Sequence, residues 1–149
     1  MKQFRFGLDG VLGYRQQVLE GQQNEYAKAL QRVREQQDRV EDAQARYQAL
    51  NRRFREEAAT GMTAADAMGF ESGLRVLELE IAREMKSLQT LRQEAEEKRK
   101  RVLQAHMDAA VLERLKEKQQ DAYRKEVQKS DERVIDELVS AEWAVRSGA

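Results

Sequence analysis

Residues 12–54 read LGYRQQVLEGQQNEYAKALQRVREQQDRVEDAQARYQALNRRF, and one row of side chains runs through them without a break. Leu12, Leu19, Tyr26, Val33, Val40, Tyr47 and Phe54 follow each other at intervals of seven. Such a repeat marks a coiled-coil seam, because seven residues bring a helix back to nearly the same face and supercoiling absorbs the small drift. The companion row three positions on is Arg15, Gln22, Ala29, Gln36, Ala43, Leu50 and Glu57. Most of it is small or polar, so the spacing predicts a narrow seam with little apolar area.

Outward from this stretch, the glycines set the organisation. They stand at 7, 10, 13 and 21, then at 61, 69 and 73, and last at 148, and the chain has no proline. Residues 22–60 and 74–147 therefore contain no helix breaker, and both spans are rich in Ala, Leu, Glu, Gln, Lys and Arg. At 1.5 Å per residue these spans would extend about 58 Å and about 111 Å as helices, too long for a compact globule. The expectation is all-α: two long helices at about 8–59 and 64–145, joined by a loop at about 60–63, in a single antiparallel coiled-coil hairpin. Gly61 reads as a left-handed residue ending the first helix, and Thr63-Ala64-Ala65-Asp66 as a capping box opening the second. Gly7, Gly10 and Gly13 weaken the first turns, each by roughly 1 kcal/mol relative to Ala, and the sequence leaves open whether residues 1–13 are helical in the unbound chain.

Folding the chain back near residue 62 pairs positions whose numbers add to about 124. Phe54 then faces Phe70, Tyr47 faces Leu77, Leu50 faces Leu74, Ala43 faces Ile81, Val33 faces Leu91 and Leu12 faces Leu112. Gln36 opposite Leu88 and Val40 opposite Glu84 are poor pairs. Past Leu112 the second helix overhangs the first, and its tail carries Leu115, Tyr123, Val127, Val134, Ile135, Leu138 and Trp143. Two coverings for that stripe stand open. The N-terminal segment can lie over its first turns through Phe4, Phe6 and Leu8, and another molecule is expected beyond Tyr123.

Composition excludes several classes. Among 149 residues, 36% are charged and only 6% aromatic, against roughly 25% charged in ordinary globular domains. Without cysteine there is no disulfide, thiolate metal site or cysteine nucleophile, and a reducing compartment fits. Lys plus Arg and Asp plus Glu both number 27, and this balance argues against a nucleic-acid binder. No apolar run approaches a membrane span, and MKQFRFGLDG carries charge and Gly where a signal peptide would have its apolar stretch. Neither a phosphate loop nor a dinucleotide fingerprint occurs. His106, the single histidine, reads as a surface or seam-edge residue, and paired carboxylates such as Glu56-Glu57 and Glu96-Glu97 as solvated faces. The run Lys98-Arg99-Lys100-Arg101 reads as a solvated face that Glu94, Glu96 and Glu97 can pair with, ahead of an anionic-surface role. No catalytic residue, cofactor or metal is expected.

At this point the order of motifs resembles a known family. Phe4-Arg5-Phe6-Gly7-Leu8-Asp9-Gly10-Val11-Leu12-Gly13-Tyr14-Arg15 is similar to the Phe-x-Phe-x-Leu-x-x-Val-Leu-x-Tyr-Arg start of flagellar export proteins of the FliJ type. Leu112-Glu113-Arg114-Leu115-Lys116-Glu117-Lys118, Tyr123-Arg124-Lys125-Glu126 and Ile135-Asp136-Glu137-Leu138 resemble its C-terminal pattern, and Phe70, Leu74, Leu77, Glu78 and Ile81 its second-helix start. Gly7, Gly10 and Gly13 depart from the family pattern.

The resemblance implies a non-enzymatic, stalk-like component of the flagellar type III export apparatus. It would be cytoplasmic and peripheral to the membrane at the flagellar base, serving flagellum biogenesis and hence motility and chemotaxis. It implies binding to the hexameric export ATPase, whose assembly and activity it promotes, to the export gate membrane protein, and to substrate chaperones. The open end, with Phe4, Phe6, Leu8, Leu12, Tyr14, Arg15, Leu112, Leu115, Tyr123, Val127, Ile135 and Leu138, is expected to meet the ATPase. The loop end, with Tyr47, Phe54 and Phe70, is the candidate for the gate: plain seam packing accounts for Leu50, Leu74 and Leu77, whereas Tyr47 and Phe70 are large aromatics that fit poorly inside a narrow seam. A virulence-type secretion stalk and a purely structural coiled coil remain alternatives.

Overall fold

The computed structural model describes residues 3–148. They form α1 (Asp9–Thr60) and α2 (Ala64–Ser147), two long helices packed against each other, with no strand among the described residues. The helix ends differ from the sequence expectation by a residue or two, the ordinary slack of helix termini.

Gly61, with φ 105°, is the only described residue in the left-handed region, where a side chain would be strained. The Thr60 hydroxyl donates to the Glu57 carbonyl at 3.1 Å. At the start of α2 the Asp66 N–H donates to the Thr63 Oγ1 at 3.1 Å and the Ala67 N–H to the Thr63 carbonyl at 3.0 Å. The Thr63 hydroxyl thus satisfies one of the N–H groups that the first turn leaves over, and its carbonyl accepts the first bond of the helix.

The first turns of α1 are helical from Asp9, close to the expected start at about residue 8. Gly10 and Gly13 lie within the helix, which begins at Asp9, and the Asp9 N–H reaches back to the Phe6 carbonyl at 3.1 Å. Burial of Phe6 and Leu12 supplies the apolar stabilisation that opposes the glycine penalty. Met1 and Lys2, within the segment whose helical state the sequence left open, fall outside the described residues.

The chain divides into two compact units, Glu20–Leu103 and the pair of segments Met1–Leu19 with Gln104–Ala149. In Glu20–Leu103 the seam is antiparallel and in the expected register. Phe54 and Phe70 meet edge to face at 5.4 Å between centroids. Arg46 pairs with Glu80 at 2.6 Å, and the Tyr47 hydroxyl donates to Glu78 at 3.2 Å. The buried side chains are Ala29, Val40, Ala43, Leu88 and Ala95, with Ala43 at 0% exposure, while Tyr26, Val33, Tyr47 and Phe54 stay half-buried. Ala29, Ala43 and Ala95 therefore lie at the centre of the seam together with Val40 and Leu88, while Val33 and the aromatic heptad residues flank it. Small side chains let the backbones approach, and that closeness pushes bulky neighbours outward.

One polar residue is buried in this seam. Gln36 sits at 7% exposure, and its amide donates to the Glu84 carbonyl at 3.0 Å and to the Glu84 carboxylate. The two poor pairs expected from the register, Gln36 with Leu88 and Val40 with Glu84, thus repair each other diagonally. The polar ends of one misfit satisfy the polar ends of the other.

In the unit of Met1–Leu19 with Gln104–Ala149, the N-terminal segment lies against α2. Phe6, Leu12, Ala105 and Ala109 are buried. Lys116 reaches Asp9 at 3.1 Å, Arg15 reaches Asp108 at 3.6 Å and the Gln16 amide donates to Glu113 at 3.4 Å. From 128 onward every described residue of α2 is exposed.

Candidate partner-binding surfaces

At the open end, the expected residues separate into two groups. Phe6 and Leu12 are buried, and Phe4, Arg15, Leu112, Tyr123 and Val127 are half-buried, all within the packed part of the unit. Phe4 packs against the Tyr123 ring at 5.7 Å between centroids, tilted by 45°. An open groove of about 450 Å³ runs beside them, lined by Phe4, Arg5, Phe6, Asp9, Lys116 and Gln120. The N-terminal segment therefore covers the stripe as far as Tyr123, one of the two coverings open from the sequence.

The second group is uncovered. Leu8, Tyr14, Leu115, Ile135 and Leu138 are exposed, Tyr14 beneath the Arg15 guanidinium at 6.0 Å from its ring centroid. Val134, Val139, Trp143 and Val145 join them on the helix beyond residue 128, Trp143 at 71% exposure and Val145 at 76%. Val11, Met107 and Val111 are exposed as well. These three are functional candidates that heptad reasoning passed over, since they sit off the seam rows. Their signal was apolar character outside the rows, with Met107 and Val111 at the i, i+4 spacing of a single face.

At the loop end, Tyr47, Phe54 and Phe70 are half-buried rather than presented whole. Phe54 and Phe70 spend their edges on each other, as plain seam packing requires, and Arg53 stands 5.8 Å from the Phe70 ring centroid. Beside them is an open groove of about 440 Å³ lined by Leu50, Arg53, Glu57, Ala65, Asp66, Gly69, Phe70 and Gly73. A Cβ at Gly73 would meet the Leu50 Cδ2 at 3.0 Å, so the glycine admits Leu50 there, whereas one at Gly69 would meet nothing within 4 Å.

Two ion pairs shift the groups that form them. The Arg46 guanidinium hydrogen-bonds and attracts Glu80, holding that carboxyl below its ordinary range, and Asp42 adds to the field on Arg46. Arg99 holds Glu96 the same way at 2.7 Å, so part of the basic run 98–101 is engaged by the preceding acidic residues. His106 is exposed. Among the described residues there is no group of acidic and histidine side chains able to hold a metal ion, and no helix is long and apolar enough to cross a membrane.

A family model described as flagellar FliJ protein matches residues 4–148. No curated protein and no solved structure gives a significant match. The match runs through both helices, the N-terminal segment and the exposed end of α2, and the chain belongs to the flagellar FliJ family, a family of flagellar export-associated proteins.

Proposed function

We propose that this protein is a non-enzymatic stalk of the flagellar type III export apparatus. It binds the hexameric export ATPase through its open end and promotes the assembly and activity of the ring. One observation carries this reading: the end of α2 keeps Val134, Ile135, Leu138, Val139, Trp143 and Val145 each more than half exposed, with nothing among the described residues covering them. Large apolar side chains held in water along one helix are what a partner buries. Leu8, Tyr14 and Leu115 extend that contact, while Phe4, Phe6, Leu12, Arg15, Leu112, Tyr123 and Val127 hold the N-terminal segment against α2 and shape its base. Tyr47 and Phe70, beside the groove at the loop end, are the residues we assign to the export gate, with Phe54 supporting Phe70. Substrate chaperones are further partners, and the protein works in the cytoplasm at the membrane face of the flagellar base.

The test is ATP hydrolysis by the cognate export ATPase, titrated with the full chain and with a chain ending at Gln128. A cut at Gln128 keeps Tyr123 and Val127 and so leaves the seat of Phe4 in place. Stimulation by the full chain, lost with the shortened one, is the expected outcome. An active ATPase that responds to neither overturns the stalk reading.

A further inference from the structure

The exposed end of α2 also specifies the chemistry of what covers it. At 100° per residue, Val127, Val134, Leu138 and Val145 fall within a narrow strip, and Ile135, Val139 and Trp143 widen it into an apolar half of the helix. Three carboxylates, Asp131, Glu132 and Glu142, are interspersed on that same half. Its one cation, Arg146, is already held by Glu142 at 3.1 Å. The remaining cations, Lys129 and Arg133, stand on the opposite half beside Asp136 and Glu137. Asp131 and Glu132 have no ion pair among the described residues. Although the whole chain is neutral, the half of this helix that needs covering is apolar and acidic.

Two occupants are disfavoured by that charge. A second copy of the same helix would bring Asp131, Glu132 and Glu142 of both chains into one interface, like against like. An anionic lipid surface would repel the same carboxylates.

We infer that residues 128–147 dock on a protein surface with an apolar floor edged by lysine or arginine side chains, which complement Asp131, Glu132 and Glu142. This deepens the ATPase reading above by stating what the partner's surface must look like, but its test does not depend on that ATPase.

The probes are two synthetic amphipathic helices, each with a leucine stripe and no tryptophan, one edged by lysines and the other by glutamates. Trp143 is the only tryptophan of the chain and is largely exposed, so its emission shifts to the blue when the face is covered. The full-length protein should bind the lysine-edged helix, with affinity falling as salt rises, and should not respond to the glutamate-edged one. The triple variant Asp131→Lys, Glu132→Lys and Glu142→Lys should bind the lysine-edged helix roughly tenfold more weakly, three exposed pairs acting together. Its circular dichroism should stay close to that of the wild type, since the only pairs these exposed side chains make among the described residues are local ones along the helix, Glu142 with Arg146 and Glu132 with Gln128.

Equal binding of both probes, or of neither, overturns the inference. So does a Trp143 shift on vesicles of phosphatidylglycerol, or a concentration-dependent dimer abolished by Leu138→Asp. Binding of the lysine-edged helix without any effect on the export ATPase would instead leave this inference standing and refute the ATPase reading.

Discussion

The buried Gln36–Glu84 pair makes a sharp test of how this seam is held. Its amide donates to a charged carboxylate and a carbonyl in a layer where Val40 and Leu88 are buried. A hydrogen bond to a charged group contributes about 1.5–3 kcal/mol net. Gln36→Ala removes it and gains back a few tenths of a kcal/mol in helix propensity, for a loss of about 2 kcal/mol. For a chain of this size that corresponds to a fall in Tm of roughly 4–8 °C. Gln36→Leu loses the same bond but buries an apolar side chain opposite Leu88, a gain of about 1.5–3 kcal/mol. The Glu84 carboxylate is only half-buried and can turn to water. The leucine variant should therefore unfold within about 1 kcal/mol of the wild type, because the two terms nearly cancel. Thermal and urea unfolding followed by circular dichroism at 222 nm measures both. An alanine variant as stable as the wild type would mean the pair contributes nothing. A leucine variant that falls as far as the alanine one would mean this narrow layer cannot admit a branched side chain.

Three further outcomes are expected. Val33→Asp or Leu91→Asp should destabilise the Glu20–Leu103 unit by roughly 3 kcal/mol by placing an unpaired charge in the seam, and unchanged helicity and urea midpoint in either would refute the register. Gly61→Ala should lower stability by about 1–2 kcal/mol because alanine is strained at φ 105°, whereas Gly69→Ala, with open space around its Cβ, should raise it by up to about 1 kcal/mol; equal effects at the two sites would contradict the turn geometry. Glu80 and Glu96 have their pKa values lowered by Arg46 and Arg99, so their contribution is complete above the ordinary carboxylate range and is lost as pH falls through the lowered values. Urea midpoints measured from neutral to acidic pH should therefore fall less in the Glu80→Gln, Glu96→Gln double variant than in the wild type, and identical slopes would show these pairs to be inert.

Several features were legible because they are one-dimensional. A sevenfold row of apolar residues and two long spans without Gly or Pro specify two helices, since helix period and backbone freedom are local properties. Gly61 and Thr63 mark the turn for the same reason, and the turn's position sets the antiparallel pairing, because every later pair is counted from it. The observed pairs Phe54–Phe70, Tyr47–Glu78 and Arg46–Glu80 all follow from that count. Membership of the FliJ family was likewise readable in the order of the terminal motifs.

Tertiary structure decided which of those residues are inside. The sequence could not show that Ala29, Gln36 and Ala43 would form the buried centre while Tyr26, Val33 and Tyr47 remain at its edge. Burial depends on how closely two backbones approach, which only the facing helix determines. Nor could it show that two misfit pairs would satisfy each other across the diagonal, or that Phe6 and Leu12 would hold a glycine-rich first turn in helical form. At the open end, sequence put Phe4, Tyr123, Ile135 and Leu138 on one list. The fold separates them, because Phe4 returns onto Tyr123 while Ile135 and Leu138 stay exposed. The amphipathic pattern of α2 is therefore a property of the sequence, and the stretch of it left bare for a partner is a property of where the fold stops covering it.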